Sequence, residues 1–400
     1  MRAFAIPGGP TKLAAPAVLA ALVLTLCPAT AAADTVYVPT DQPTIQAGID
    51  AAGDGGTVYV EPDTYSGPGN RDIDFAGMNV TLVSTDGPGS TVIDGEGAYH
   101  AFYFHTYEET TCVVEGLTIR NCGADYGGAM RLQNASPTIR NCVFASNTVW
   151  SGGGAVHVSS ECDARFEACT FTGNHADSYG GAVYLEGSYG SFTNCTFNGN
   201  TTDGWGAALH LRSIAETSFT DCDFTGNVAG QYGGAVYSLD AESPFTGCAF
   251  VANEASVAGA VYLQSSFNPP VFTRCSFVDN DGCGIRINSA DPVITQCIFA
   301  FDRSNRGILC TGIGEPTITH SVSFGNALSD SLCGNHVSNL FEDPLLCGYS
   351  YGDIDLCGNS PCLPSGNEWS VHIGARLAGC PDCDSPVEPS TWGTLKAMYR

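Results

Sequence analysis

Between residues 169 and 280, apolar and polar positions alternate in short runs, and the runs recur. Cys169-Thr-Phe-Thr-Gly-Asn174 is followed by Cys195-Thr-Phe-Asn-Gly-Asn200, Cys222-Asp-Phe-Thr-Gly-Asn227, Cys248-Ala-Phe-Val-Ala-Asn253 and Cys275-Ser-Phe-Val-Asp-Asn280. Gly180-Gly-Ala-Val183, Gly206-Ala-Ala-Leu209, Gly233-Gly-Ala-Val236 and Ala258-Gly-Ala-Val261 lie between them. Alternation such as Val183-Tyr-Leu185 and Phe192-Thr-Asn-Cys-Thr-Phe197 has the period of a strand. The cysteines at 122, 142, 169, 195, 222, 248, 275 and 297 stand 20 to 27 residues apart, the spacing of one small unit stacked on itself. Each unit is rich in Gly, Thr, Asn, Phe and Val and poor in Lys, Leu and Glu, which argues against helical repeats. A coil of this length winds through about three short strands, and successive coils stack as parallel strands about 4.8 Å apart. The predicted fold is all-β, a right-handed parallel β-helix.

Alternation also assigns faces. Phe192, Cys195 and Phe197 point inward, as do their counterparts in the neighbouring coils, giving two Phe ladders and one Cys ladder. Each buried Phe contributes roughly 1.5–3 kcal/mol, and no coil can bury its face alone. Asn147, Asn174, Asn200, Asn227, Asn253 and Asn280 are expected along one turn, with amides bonded along the axis. The Gly-Gly pairs suit a turn with positive φ. Near the start, Ile45, Ile49 and Ala52 share one face of a short helix with Thr44 at its head. Such a helix covers the open end of the first coil. Residues 34–330 are assigned to the solenoid, on the order of ten coils and about 50 Å of axis. Residues 331–383 crowd six cysteines into a loop-rich C-terminal cap, and 384–400 form a Pro-bearing linker and a short tail whose last ten residues are aromatic and apolar.

Two tetrapeptides, Gly-Gly-Ala-(Val/Met) and Phe-x-x-Asn, resemble the repeats of chlamydial polymorphic outer-membrane proteins and of the wider set of right-handed β-helix proteins with a pectin-lyase-like fold. Ile354-Asp-Leu-Cys-Gly-Asn-Ser-Pro-Cys362 resembles the segment that commonly ends bacterial β-helix repeat domains. The resemblance covers roughly residues 34–330 and specifies fold far better than activity. The chlamydial proteins continue into a membrane barrel, and no such segment is present in these 400 residues.

Charge narrows the partners. The chain carries a formal charge of −26 with only 14% charged residues, and lysine occurs only at Lys12 and Lys396. This balance argues against nucleic acid and anionic lipid surfaces. Arg2, Lys12, the apolar run from Leu13 to Leu26 and Ala31-Ala-Ala33 read as a secretory signal over residues 1–33. No other segment has the length and apolarity of a transmembrane helix. Export favours disulfides, and Cys333, Cys347, Cys357, Cys362, Cys380 and Cys383 are expected to be bonded. The ladder cysteines point the same way in register and are expected to remain buried thiols. Zinc on Cys357, Cys362, Cys380 and Cys383 ranks second, because no well-spaced His accompanies them.

The strand after each Gly-Gly-Ala presents one residue per coil on its outer side: Arg131, His157, Tyr184, His210, Tyr237, Tyr262 and Arg286. Two residues further on lie Gln133, Ser159, Glu186, Arg212, Gln264 and Asn288, and Tyr179, Trp205 and Tyr232 precede the strand. An exposed row of rings and hydrogen-bonding groups can hold an extended glycan. The simpler account is that Tyr and His suit a solvent-facing strand. A glycosidase needs two suitably spaced carboxylates, but these stripes hold one, Glu186, and no Asp-Asp pair occurs in the chain. Asp125, Asp177 and Asp203 align at one turn and could bind Ca²⁺, although turns favour Asp in any case. No other cofactor is expected. The resulting expectation is an exported surface repeat protein, non-catalytic, serving adhesion, glycan contact or envelope architecture. Its partners would be polysaccharide, cell-surface glycan or other envelope proteins. The alternative is a polysaccharide lyase or hydrolase acting through Glu186, Arg212 and His210.

Overall fold

The computed structural model describes residues 34–213, 217–264, 270–348 and 352–383. The assigned signal (1–33) and the linker and tail (384–400) lie outside the described residues. The chain forms a parallel, right-handed solenoid with one short helix, Ile45–Ala52. Thr44 caps that helix by accepting the amide of Ala47, and Ile45, Ile49 and Ala52 are buried. Each middle coil visits four faces rather than three. In the coil around Asn200 these are Tyr189–Thr193, Thr196–Asn198, Thr201–Thr202 and Leu209–Arg212. Down the axis they build sheets of thirteen, eleven, six and ten strands, called faces 1 to 4 below. Thirteen strands on face 1 exceed the expected ten or so and make the solenoid roughly 60 Å long. The short third face fits into the coil because each of its strands is only two to five residues long.

The corners are left-handed backbone positions. Asn141, Asn194, Asp221 and Arg274 have φ between 51° and 53° at the corner from face 1 to face 2. At the corner before face 4 the two glycines do different jobs. Gly180 takes φ 58°, whereas a Cβ on Gly181 would lie 2.2 Å from the carbonyl oxygen of Thr201 in the next coil. The first glycine serves the turn, and the second lets two coils approach.

Inside, like stacks on like. Phe166, Phe192, Phe219, Phe245 and Phe272 stack with centroids 4.7–5.1 Å apart. Phe144, Phe171, Phe197, Phe224, Phe250, Phe277 and Phe299 stack at 4.6–4.8 Å. All are buried. The asparagine ladder forms as expected. Each Nδ2–H donates to Oδ1 of the next coil, from Asn147 to Asn174 at 2.9 Å through Asn253 to Asn280 at 3.1 Å. The column then passes through Asp302, which accepts from Asn280 and from the amide of Gly284, to Asn326, whose Oδ1 accepts the backbone N–H of Asp302. Asp302 thus replaces one amide within the row, and its backbone N–H rather than its side chain carries the bond on to Asn326. Burial nonetheless pushes the carboxyl of Asp302 well above the usual range.

The ladder cysteines are all free and buried, and burial pushes a thiol such as Cys142 up to about 12, which keeps it protonated and unreactive. Five of the six tail cysteines are bonded as expected, and the sixth, Cys362, is not. Cys347 bonds Cys380 and Cys357 bonds Cys383, but Cys333 bonds Cys310 of the last face 4 strand, and Cys362 is a buried thiol. Cys362 sits in a second apolar cluster with Ile354, Leu356 and Ile373, away from any unpaired sulfur. That cluster rests on the outer side of face 2, on Ala249, Val251, Val278, Ile298, Ala300 and Val322. The cap therefore folds back along the solenoid. Gly374 donates to the Gln296 carbonyl, Ala375 to Ser276 Oγ, and Arg376 pairs with Asp223.

Two outcomes are expected. Thiol titration of denatured, unreduced protein spanning residues 34–400 is expected to count twelve thiols; a count near zero would show the ladder oxidised. Asn200→Ala strands the amide groups of Asn174 and the Phe171 carbonyl. At about 1–3 kcal/mol for each unsatisfied buried group, it is expected to cost at least about 3 kcal/mol by denaturant unfolding, and a loss below about 1 kcal/mol would refute the ladder's role.

Candidate functional site

Face 4 carries the outer stripe. Its register runs Asp74, Tyr103, Arg131, His157, Tyr184, His210, Tyr237, Tyr262, Arg286, Leu309. The two residues that begin the row, Asp74 and Tyr103, were missed from sequence because their coils lack the Gly-Gly-Ala signature. The inward positions Ile73 and Phe102 carried the only available signal, an apolar–polar alternation over two to three residues.

The row is not exposed. Tyr184, His210, Tyr237 and Tyr262 are buried, His210 to 2% exposure and His157 to 6%. Strand spacing stacks the rings on one another, with His157 on Tyr184 at 5.0 Å and Tyr237 on Tyr262 at 5.6 Å. A second row then roofs them. Tyr126, Gly152, Tyr179, Trp205 and Tyr232 pair coil to coil just before face 4. Tyr126 packs on His157, Tyr179 on His210, Trp205 on Tyr237 and Tyr232 on Tyr262, at 4.9–5.0 Å. Gly152 leaves room in the roof for Tyr184, whose ring would lie 2.9 Å from a Cβ at that position. Tyr126, Tyr179, Trp205 and Tyr232 are the aromatic surface that solvent meets.

Burial sets the protonation of the two imidazoles. It holds His157 down at about 4, with the Arg131 charge adding to the effect. It holds His210 down at about 3, with Arg212 adding. Neither nitrogen of His157 has a hydrogen-bond partner in the protein. Both rings are therefore neutral packing elements at neutral pH. His210 lies beneath Tyr179 and Trp205, out of reach of a polymer.

The next row out is polar and reachable. Glu186 and Arg212 pair at 3.5 Å with half-exposed side chains, a contact worth no more than about 1 kcal/mol. Gln133 accepts from the Tyr103 hydroxyl, Gln264 from that of Tyr237, and Asn288 donates to that of Tyr262. At the N-terminal end, His105 lies 3.3 Å from Asp74, and His100 lies 3.8 Å from Asp72. From Asp74 to Glu186 is four strand spacings, about 19 Å. That is too far for two carboxylates to share one glycosidic bond, which needs about 5–9.5 Å.

Beside this face, the outer side of face 3 holds the aligned aspartates. Asp125 accepts the indole N–H of Trp150 at 3.0 Å. Asp177 and Asp203 instead gather with His175, ligand atoms within 4.8 Å of one another, one imidazole and two carboxylates that a divalent cation could take. In the cap, Cys347, Cys357 and Cys380 also lie close, but disulfides use all three.

The sequence model of the family described as "Right handed beta helix region" matches residues 102–254 and 182–342, more than half of the chain. The chain belongs to this family. No curated protein matches it. Among the described residues no helix is long and apolar enough to cross a membrane.

Protonation gives a measurable consequence. A folded pKa held below the unfolded value of about 6.5 means that the unfolded chain binds more protons between the two values. Stability is therefore expected to fall as pH drops from about 6.5 to about 4, by ~1.4 kcal/mol for each unit of depression. The double variant His157→Phe/His210→Phe keeps the stack and is expected to flatten the dependence of Tm on pH in that window. An unchanged slope would contradict the buried, neutral imidazoles.

Proposed function

We propose that this protein is an exported surface repeat protein whose face 4 contacts an extended glycan without cleaving it. One observation carries the reading: Tyr179, Trp205 and Tyr232, half-buried over an aromatic floor, edge a row of polar groups at a fixed repeat along the solenoid. Rigid rings with their polar neighbours lose little entropy on binding. The Glu186–Arg212 pair offers both an acceptor and a donor to sugar hydroxyls. Cleavage is the second reading, and one arrangement favours it. Asp74 on the strand Ile73–Asp74 and Asp72 just before it each lie beside a histidine, at the N-terminal end of the same face.

The test is retention of the protein spanning residues 34–400 on neutral and acidic polysaccharides, with release of reducing or unsaturated ends followed in parallel. Retention lost about tenfold or more in Tyr179→Ala/Trp205→Ala, with no release, is the expected result. Release abolished by Asp74→Asn or Glu186→Gln would make the protein an enzyme, and neither retention nor release would remove the glycan reading.

A further inference from the structure

Trp150 is out of place on a soluble surface. It lies 70% exposed on the strand Thr148–Gly152, while most of the chain's other rings are stacked or buried. Its indole N–H is tied to Asp125 Oδ1 of the preceding coil at 3.0 Å, which fixes the ring with a face toward solvent. Asp177 of the following coil stands on its other side, and together they line a groove of about 410 Å³. The remaining lining residues are Gly97, Ala98, Gly123, Ala124, Thr148 and Val149, so the groove's only charges are two carboxylates. Asp177 also lies 3.1 Å from His175 Nε2, and Asp203 follows in the next coil. No lysine or arginine lines the groove.

This chemistry selects a ligand with a flat, C–H-rich face and a positive charge. An exposed indole takes such a face by stacking and attracts an ammonium through its ring quadrupole. Two carboxylates, each with lone pairs left after one hydrogen bond, accept the N–H donors of that ammonium. An uncharged or N-acetylated sugar would leave both carboxylates desolvated without a counter-charge. We propose that Asp125, Trp150 and Asp177 form a subsite for a protonated amino sugar of a de-N-acetylated polysaccharide. The proposal rests on the glycan-contact reading above and names the sugar class that one part of the surface takes.

The experiment titrates the protein spanning residues 34–400, in EDTA to keep divalent cations from His175, Asp177 and Asp203, with β-1,4-glucosamine hexamer and with its fully N-acetylated counterpart. Tryptophan fluorescence and calorimetry follow binding. The amine form is expected to bind at least about tenfold tighter, a difference of ~1.4 kcal/mol. That preference should vanish in Trp150→Ala and in Asp177→Asn, return in Trp150→Tyr, and weaken as salt rises or as pH passes the amine's own pKa. Both substituted side chains, Trp150 and Asp177, are exposed, so unchanged melting of the variants is the fold control. Equal binding of the two hexamers overturns this subsite while leaving glycan contact on face 4 intact. Binding of neither hexamer, with polysaccharide retention still dependent on Trp205, also overturns the subsite alone. No saccharide binding of any kind removes both readings. Equally tight, Trp150-dependent binding of hexalysine overturns the amino-sugar assignment in favour of a basic peptide.

Discussion

One constraint runs through the molecule: every coil is held in register on the one before it by parallel backbone pairing, so each side chain meets its own counterpart about one strand spacing away. Only self-complementary groups can fill such a column. Phenylalanine stacks on phenylalanine, and a thiol tolerates a thiol. Asparagine is the polar solution, because its amide is donor and acceptor together and can pass one hydrogen bond down the row. Asp302 takes one place between Asn280 and Asn326: its carboxyl accepts from Asn280 and Gly284, and its backbone N–H passes the bond on to Asn326. The outer charges obey the same rule in another form. Arg140 answers Glu115, Arg120 answers Asp94 and Arg303 answers Asp279 across adjacent coils, which offsets part of the repulsion in a chain of net charge −26.

The same register explains why the outer stripe of face 4 is closed. A lone ring on an open sheet would be solvated. Rings in consecutive coils pack face to face or edge to face, and the row one corner earlier covers what they leave open. His157 and His210 are then enclosed by aromatic surface with a positive charge nearby, and both effects favour the neutral imidazole. The stripe thus serves as a floor that holds Tyr179, Trp205 and Tyr232 in place, and those three present the surface.

Sequence carried the fold because the fold is a period, and a period needs no knowledge of distant contacts. The inward Phe, Cys and Asn columns and the capping helix could all be read from single coils and their repetition. Exposure of the stripe could not, because it depends on how a residue four positions before the strand leans over it. The disulfides were half legible for a similar reason: composition marks the cap as oxidised, but the partner of Cys333 is Cys310, set by where the last coil ends in space. The docking of the cap did leave a trace. The outward residues of face 2 change from Thr170 and Thr172 to Ala249 and Val251, then Ile298 and Ala300. Apolar residues on the outer side of a solenoid strand must be covered by something, and the cap is what covers them.

Repetition also limits what a solenoid can recognise. A column of equivalent groups offers a polymer many equal positions, so it supplies contact without fixing where the polymer stops. Register requires a residue that occurs once. In the column Asp125, Trp150, Asp177, Asp203 the repeated element is the carboxylate, and Trp150 is the interruption. Its ring is fixed by one neighbouring aspartate and bordered by another, so the acid that is commonplace in a turn gains a partner found nowhere else in the column. In the proposed reading the repeating face sets the direction of an extended ligand, and the single break in the repeat sets its position.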